Sequence, residues 1–246
     1  MRVTVVGASG QFGSLVCDGL EKAGVEVTRA HRGTGVDAVT GDGLAAACDG
    51  ADIIVEATST MERSAAKSRA FFGTVARHIS KVARESGSQV VYLTIYGASD
   101  PVVNEKMGHY QGKAEQERVY AEQLGDNATA IASVQWYSLA EAFMSMMRVG
   151  PFAAAPHMVA RPAAVEDVAK ATVELILAPV KPQRLVVAGP EVMDMADVAK
   201  AIAKHRGSPK KVFAITIAKG VKTGGLVPQQ PDVITATTLE DWLATR

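Results

Sequence analysis

The chain has 246 residues, with 26 Lys and Arg against 26 Asp and Glu, so its formal net charge is zero. A protein without a basic excess does not attract nucleic-acid phosphates, and we expect no nucleic-acid partner. The longest apolar runs fall far short of a membrane span, and strand-forming residues begin at Arg2 where a leader peptide would lie. Cys17 and Cys48 share no metal-ligand spacing and are interpreted as reduced thiols. These features predict a cytoplasmic protein with no metal site and no membrane partner.

The first motif is a strand that runs into a glycine-rich turn and then into an amphipathic helix. The β-branched residues 3–6 lead into three glycines spaced G-x-x-G-x-x-G. A strand, a glycine turn and a helix in this order hold the pyrophosphate of a dinucleotide. An ordinary glycine loop is the weaker interpretation, because the strand and the helix are both in place. The residues predicted to surround the pyrophosphate are Gly7, Ser9, Gly10, Gln11 and Phe12.

The residues after the second predicted strand bear on the choice between NAD and NADP. This strand, at 25–28, has no acidic residue at its end to accept hydrogen bonds from the adenosine ribose of NAD. Arg29 and Arg32 can instead hold the 2′-phosphate of NADP. The alternative is a solvated turn that carries two incidental arginines. The sequence therefore favours NADP (NADPH) as the cofactor.

Strand and helix patterns then alternate along the chain. A third strand is predicted at 36–39, and Asp42 after it either lies near the adenine or caps a short helix at 44–48. Because no hairpin signal interrupts the alternation, we predict an α/β fold with a doubly wound parallel sheet of the Rossmann type. The later elements are strands at 51–55, 89–95, 129–134 and 184–188 and helices at 64–86, 107–123 and 165–178.

The sequence also suggests how the chain is divided. We predict a dinucleotide-binding Rossmann core of residues 1–135, completed by 163–190, and a small substrate-side α/β lobe of 136–162 and 191–246. Ala57 and Thr58, small residues after the fourth strand, would let the dinucleotide lie across the strand tips. A last short strand is expected at 211–215, and the Gly-, Lys- and Pro-rich residues 219–230 read as a loop able to cover a site.

Five motifs follow one another along the chain. They are Gly7-x-x-Gly10-x-x-Gly13, Gly41-Asp42, Leu93-Thr94-Ile95-Tyr96-Gly97 with His109-x-x-x-Lys113, Arg161-Pro162-Ala163-Ala164-Val165-Glu166-Asp167-Val168-Ala169 with Val187-Ala188-Gly189-Pro190-Glu191, and the closing Thr238-Leu239-Glu240-Asp241-Trp242-Leu243. With these motifs in this order, the chain resembles the short-chain dehydrogenases/reductases of the atypical, NmrA-like branch over nearly its whole length.

The resemblance implies a set of catalytic residues. In this superfamily a Tyr-x-x-x-Lys helix supplies the proton donor and a lysine for the nicotinamide ribose, and a strand hydroxyl binds the carbonyl. Lys113 keeps its place, Thr94 is the candidate hydroxyl, and His109 stands where the tyrosine is expected, with Tyr110 beside it. A histidine can donate or accept a proton near neutral pH, so acid–base chemistry is allowed. The alternative is that no catalytic acid remains.

The resemblance also implies that the loop after the sixth predicted strand walls a substrate pocket. The predicted pocket residues are Tyr96, Gln135, Trp136 and Tyr137. Many relatives have a proline where this chain has Gln135. The methionine-rich residues 144–158 are soft and apolar, which suits an apolar or planar small molecule. A core under a helix, or a contact in a homodimer, would explain them equally well.

Three functions follow from these features. The leading prediction is an NADP(H)-dependent oxidoreductase that transfers hydride to a quinone, enone or similar carbonyl compound. The alternative is a non-catalytic NADP(H) sensor that passes redox state to a protein partner. A sugar-nucleotide epimerase of the extended family is the third, and the methionine-rich segment and the missing Tyr-x-x-x-Lys argue against it.

Overall fold

The computed structural model describes residues 1–62 and 64–246. Runs of β-branched and small apolar residues form its strands, as their preference for the pleated, buried surface of a sheet predicts. In chain order the strands are β1 (Arg2–Val6), β2 (Glu26–Ala30), β3 (Ile53–Glu56), β4 (Gln89–Ile95), β5 (Ala128–Ser133), β6 (Arg148–Val149), β7 (Phe152–Pro156), β8 (Val159–Ala160), β9 (Arg184–Ala188), β10 (Met193–Asp194), β11 (Lys211–Ile215) and β12 (Val233–Ile234).

The helices follow amphipathic stretches, and glycines in the left-handed conformation end α3 and α8. They are α1 (Gln11–Lys22), α2 (Leu44–Ala47), α3 (Ala65–Ser86), α4 (Pro101–Asn104), α5 (Gly108–Leu124), α6 (Tyr137–Met146), α7 (Val165–Leu177), α8 (Met195–Arg206), α9 (Lys219–Lys222) and α10 (Leu239–Ala244). Two short 3₁₀ turns lie at Arg32–Thr34 and Gly125–Asn127.

Seven strands form one parallel sheet in the order β12-β9-β5-β4-β3-β1-β2. Apolar side chains of α1 and α7 pack on one face of this sheet, and those of α2, α3 and α5 pack on the other. The prediction of a doubly wound parallel sheet is therefore confirmed. The strand order reverses between β1 and β3, and ligands of such sheets bind at the carboxyl ends of the strands where the order reverses.

The predicted third strand at 36–39 is wrong. These residues form a loop and turn, and β2 is the edge of the sheet. Val36 and Ala38 are buried in the core as a strand's residues would be. However, the Asp37 carboxylate accepts a hydrogen bond from the Val39 N–H at 2.8 Å, which folds the backbone back on itself. A local side-chain to backbone bond of this kind competes with strand pairing.

The helix-capping alternative for Asp42 is also wrong. Gly43 occupies the N-cap position of α2. The Asp42 carboxylate instead accepts a hydrogen bond of 2.8 Å from the Thr40 hydroxyl. Asp42 therefore braces the loop after β2 and stays exposed at its surface.

A smaller lobe stands beside the carboxyl ends of the strands. It contains a sheet of β11, β7 and β6, the pair β10 and β8, and a core of its own. Its core includes Ala98, Val103 and Tyr110 from the segment between β4 and α5. In the other direction, β12 lies in the predicted lobe segment 191–246 and pairs with β9 of the main sheet.

The segment 219–230 packs against the loop that follows β4. A Cβ on Gly97 would lie 3.0 Å from the Gly225 carbonyl oxygen, and one on Gly220 would collide with the Val102 carbonyl. Cys17 and Cys48 are free and buried. Within residues 1–62 and 64–246, no helix has the length and apolar character needed to cross a membrane.

Candidate functional site

The glycine turn after β1 is built so that backbone lies at its surface. Gly7 has a φ of +89°, and a Cβ there would lie 2.8 Å from the carbonyl carbon of Ala57. A Cβ on Gly13 would collide with the Gly7 carbonyl oxygen, so α1 can approach β1 only with a glycine there. Gly10 differs from both, because it is exposed and its N–H donates to the Gly7 carbonyl at 3.0 Å. Gly10 therefore leaves the turn accessible from outside.

The turn ends at the N-terminus of α1, a twelve-residue helix with Gly10 at its N-cap. Since the N-cap residue has no side chain, the first-turn N–H groups are not capped from it. Ser9 and Gln11 are exposed on either side. Free N–H groups at the positive end of a helix form a site for phosphate. The residues present thus fit the pyrophosphate of a dinucleotide.

Phe12 has a different position from its neighbours in the turn. It is 4% exposed, and its ring stacks on that of Trp136 with 6.0 Å between centroids and 22° between planes. Trp136 in turn donates from its indole N–H to the Ser133 hydroxyl at 2.8 Å. Phe12 thus connects the glycine turn to the loop after β5.

At the end of β2 the two arginines have different surroundings. The Arg29 guanidinium lies 2.5 Å from Asp18 and 2.8 Å from Glu21, both on α1. Arg32 is exposed and begins the 3₁₀ turn, and the ion pairs of the described residues do not include it. His31 caps that turn by accepting a hydrogen bond from the Gly33 N–H at 3.1 Å. Arg32 is therefore the arginine of the two that has a guanidinium to offer a ligand.

The end of β3 lies against the glycine turn. The Ala57 N–H donates to the Val6 carbonyl at 2.8 Å, and the backbone of Ala57 and Thr58 fills the space that a Cβ on Gly7 would need. The structure therefore brings together Gly7, Ala57 and Thr58, which were predicted to contact the cofactor. Thr58 also donates to Glu56 from its N–H at 3.1 Å and from its hydroxyl.

Glu56 was not singled out as a site residue from the sequence. It is fully buried and also accepts hydrogen bonds from the Gln116 side-chain amide and, at 3.4 Å, from the Tyr120 hydroxyl. Burying a carboxylate is costly unless it is hydrogen-bonded in this way. The sequence signal for it was a carboxylate directly after the apolar strand residues 53–55.

Lys113 lies on α5, next to this carboxylate. Its ammonium donates to the Leu93 carbonyl at 2.7 Å and to the Gln116 side-chain carbonyl at 3.1 Å, and it lies 4.3 Å from the centre of the Phe72 ring. The Leu93 carbonyl lies past the last residue that β3 pairs with β4. Burial lowers the pKa of Lys113 to about 8, although the charges of Glu56 and Glu117 oppose that change.

His109 lies one turn before Lys113 on the same face of α5. Its ring meets the edge of the Phe72 ring at 5.3 Å between centroids. Burial and the nearby charge of Lys113 lower the pKa of His109 to about 4, although a backbone hydrogen bond with Thr60 favours its protonation. His109 is therefore a neutral imidazole at pH 7.

Tyr110 points in another direction, into the core of the small lobe. It is 4% exposed, and its hydroxyl accepts a hydrogen bond of 3.0 Å from the Gln135 side-chain amide. Burial raises the pKa of Tyr110 above its ordinary value. The structure thus separates the two candidate acids, with His109 beside Lys113 and the Tyr110 hydroxyl beside Gln135.

The Thr94 hydroxyl makes its hydrogen bond to a third residue of α5. It is fully buried and donates to the Glu117 carboxylate at 2.8 Å. Glu117 also accepts from Ser99 and pairs with Arg184 at 3.3 Å. In this arrangement the Thr94 hydrogen is already donated within the protein.

The predicted pocket residues, Tyr96 after β4 and Gln135, Trp136 and Tyr137 after β5, differ in burial. Tyr137 is fully buried and donates to the Thr237 carbonyl at 3.2 Å, which makes it a core residue of the lobe. Tyr96 and Trp136 are half-buried. Gln135 is 4% exposed, and among the described residues its side-chain oxygen has no hydrogen-bond partner. A buried acceptor without a donor is costly, so Gln135 is the pocket residue that calls for a polar ligand.

Comparison with known proteins establishes the fold. No protein-family model matches the chain, and no curated protein matches it. Among solved structures, a nucleoside-diphosphate-sugar epimerase from Staphylococcus aureus matches with a TM-score of 0.72 and 15% identity, covering 99% of both chains. A hypothetical dTDP-4-dehydrorhamnose reductase from Sulfolobus tokodaii matches with a TM-score of 0.71 and 17% identity, covering 98% of this chain and 99% of its own.

A third structure with the same fold is an NADPH-dependent quinone oxidoreductase from Escherichia coli, solved with NADPH. It has a TM-score of 0.69 and 17% identity, and the match covers 99% of both chains. The chain therefore has the Rossmann-type fold found in these reductases and epimerases. The NmrA-like branch within that fold stays a prediction from the sequence motifs.

Proposed function

We propose that this protein is an NADP(H)-dependent oxidoreductase of the NmrA-like type, which transfers hydride to a quinone or another carbonyl-type small molecule. The observation that carries the proposal is the glycine turn. Gly7 and Gly13 are sterically required, whereas Gly10 and the N-terminus of α1 are open. When bound there, the cofactor supplies the hydride, and the chain holds and orients it.

The residues that would hold the cofactor follow the carboxyl ends of the strands. The turn from Gly7 to Gln11 would contact the pyrophosphate through its N–H groups. Arg32 would contact the 2′-phosphate, because Arg29 is held by Asp18 and Glu21. Asp42 would lie on the adenine side.

Three further residues are proposed to contact the cofactor between the glycine turn and the nicotinamide. Ala57 and Thr58 would form the floor under the dinucleotide, next to the glycine turn. Lys113 would donate to the nicotinamide ribose, with its ammonium turning from the Leu93 carbonyl. These assignments leave His109, Tyr96, Gln135 and Trp136 for the substrate.

The protonation states support a conjugated acceptor. His109 is neutral at pH 7 and Tyr110 has a raised pKa, so neither is a strong acid. An isolated ketone needs a proton as hydride arrives, because its alkoxide is a strong base. Hydride addition to a quinone instead gives a resonance-stabilised phenolate that takes its proton from water. The neutral His109 ring carries one N–H, which would leave its hydrogen bond with the Thr60 backbone to donate to that oxygen.

The pocket residues support a planar substrate with a polar group. Trp136 presents an aromatic ring near the glycine turn, and the Gln135 oxygen has no donor among the described residues. The quinone oxidoreductase with the same fold adds support for this substrate class. We propose that the protein acts in the cytoplasm on a small molecule, without a nucleic-acid or membrane partner.

A second candidate function is the non-catalytic NADP(H) sensor that acts on a protein partner. One observation favours it: Lys113 is hydrogen-bonded inside the protein and Thr94 is donated to Glu117, so two predicted catalytic groups are occupied. A sensor would bind NADPH and show no turnover.

Two measurements test the proposal. NADPH and NADH are titrated into the protein and followed by the fluorescence of the nicotinamide, and tighter binding of NADPH is expected. NADPH oxidation is then followed with a panel of quinones, enones and isolated ketones, with faster turnover expected for quinones. If neither NADPH nor NADH binds, the proposal is overturned. NADPH binding without turnover of any acceptor would favour the sensor.

A further inference from the structure

A buried chain of hydrogen bonds joins the end of β3 to the middle of α5. Glu56 accepts from the Gln116 side-chain amide, and the Gln116 carbonyl accepts from the Lys113 ammonium at 3.1 Å. All three side chains are nearly or fully buried, with exposures of 0%, 0% and 3%. These hydrogen bonds lie beside the carboxyl end of β3, where Thr58 also donates to the Glu56 carboxylate.

The chemistry of the three groups fixes which atom donates and which accepts in each of these hydrogen bonds. An ionised carboxylate only accepts hydrogen bonds, an ammonium only donates them, and an amide does both at different atoms. Gln116 must therefore present its NH₂ to Glu56 and its oxygen to Lys113. A neutral group in place of the Glu56 carboxylate would let the Gln116 amide turn round and present its NH₂ to the ammonium.

The charge of Glu56 acts on Lys113 directly as well. Among the described residues, the charged or titratable groups facing Lys113 are Glu56 from β3 and Glu117 and His109 from its own helix. β4 contributes the Leu93 carbonyl, and α3 contributes the uncharged Phe72 ring. Burial favours the neutral amine, and both carboxylates favour the ammonium. The Glu117 carboxylate already accepts hydrogen bonds from Thr94 and Ser99 and pairs with Arg184. Glu56, in contrast, is linked to Lys113 by Gln116.

We propose that Glu56 is a positioning residue for the hydride-transfer site: through Gln116 it holds Lys113 as an ammonium at the gap between β3 and β4. Through Thr58 the same carboxylate is tied to the strand tip proposed to lie under the dinucleotide. Glu56 thereby sets the highest pH at which Lys113 can donate to the ribose. The role of Lys113 toward the ribose rests on the proposed function, but its protonation state does not.

The first test measures the protonation of Lys113 in the protein without cofactor. The lysine Nζ resonances of ¹⁵N-labelled protein are followed from pH 6 to 11, and the Lys113 signal is identified by its loss in Lys113→Met. In Glu56→Gln we expect the Lys113 midpoint to fall by about one pH unit. Glu115→Gln is the matched control, because Glu115 lies on the same helix but pairs with Arg118 and Arg77.

The outcome that overturns the proposal is an unchanged Lys113 midpoint in Glu56→Gln, or an equal fall in Glu115→Gln. Circular dichroism and thermal melts confirm that each variant folds. Should Glu56→Gln fail to fold, Gln116→Met tests the same link from its middle. Its Lys113 midpoint is also expected to fall, because the ammonium loses an acceptor.

The second test uses the pH dependence of NADPH binding. Wild-type affinity is expected to weaken above about pH 8, where Lys113 loses its proton. In Glu56→Gln this limb is expected to move to lower pH by the same amount as the Lys113 resonance. A purely structural role would weaken binding equally at every pH and contradict the proposal. Absence of NADPH binding in the wild type would overturn the proposed function. The resonance experiment would still test whether Glu56 keeps Lys113 protonated.

Discussion

The guanidinium of Arg29 lies 2.5 Å from the carboxylate of Asp18, on the face of β2 that packs against α1. Together with Glu21, this pair turns Arg29, one of the two arginines at the end of β2, inward to the helix. Arg32, three residues on, is exposed. The two arginines therefore have separable roles, although they look equivalent in the sequence.

We expect Arg32→Ala to weaken NADPH binding about tenfold, because it removes a charge-assisted contact to the 2′-phosphate. NADH has no such phosphate, and its affinity is expected to stay within twofold or so of the wild-type value. Fluorescence titration of both cofactors checks this. Arg29→Ala is the matched variant, and a larger loss of NADPH affinity for Arg29→Ala than for Arg32→Ala would contradict the assignment.

Gly10, which is exposed, and Gly13, which is buried, give a second prediction. Gly13→Ala is expected to lower the free energy of unfolding by about 2 kcal/mol, because its Cβ meets the Gly7 carbonyl oxygen. At Gly10 a Cβ would lie 3.3 Å from that oxygen, so Gly10→Ala is expected to fold with near wild-type stability. Its NADPH affinity should nevertheless fall, since the added methyl group stands where phosphate approaches. Urea unfolding and NADPH titration of both variants separate the two effects, and equal stability losses would count against this description of the turn.

His109 makes stability depend on pH in a defined direction. Its pKa falls from 6.5 to about 4 on folding, so the unfolded chain binds more protons between these two values. Titration of His109 therefore costs no stability above pH 6.5. As the pH falls from 6.5 toward 4, it lowers the free energy of unfolding by up to about 3 kcal/mol. His109→Phe should lose less stability than the wild type over that range, as measured by denaturant unfolding at pH 7 and pH 4. His205→Phe, at an exposed site, is the control, and identical pH dependence in His109→Phe and the wild type would refute the prediction.

The same variant tests the chemistry. If His109 only donates a hydrogen bond from a neutral ring, His109→Phe should reduce quinone turnover by about tenfold, less than the loss of a true general acid. NADPH affinity serves as the internal reference. Turnover equal to the wild type would remove His109 from the reaction.

Gln135 provides a prediction for the substrate side. Gln135→Leu removes the side-chain oxygen that lacks a partner in the described structure. We expect KM for a quinone to rise about tenfold while the Kd for NADPH stays unchanged. Steady-state kinetics and cofactor titration on one preparation check both quantities. An unchanged KM would show that the substrate does not reach this oxygen.

Much of the fold follows from local pattern. The strand predicted at 89–95 and the helix predicted at 64–86 correspond to β4 and α3. The strand is a run of β-branched and aromatic residues, and the helix has its own hydrophobic period and ends at Gly87. Residues 36–39 have strand-like burial but turn, since Asp37 bonds to the following backbone. β12 has two residues and depends on a distant contact, in which Asp232 accepts from the Val186 N–H at 2.7 Å. No local pattern announces it.

The site divides in the same way. The glycine turn was predictable, because its conformation is required within a few residues of sequence. The link between Glu56 and Gln116 joins residues sixty positions apart and was not. Nor can sequence decide which of His109 and Tyr110 faces Lys113, since both lie in the first turn of α5. Their directions depend on how the small lobe packs around Tyr110.

The stacking of Phe12 on Trp136 places the glycine turn in direct contact with the loop after β5, which holds the predicted substrate residues. Gln11 and Ser138 meet beside it, with 3.3 Å between the hydroxyl and the side-chain oxygen. Under the proposed function, a change at Trp136 would therefore also move Phe12 beside the proposed phosphate site, and exchange of Trp136 should be accompanied by a fitted exchange at Phe12.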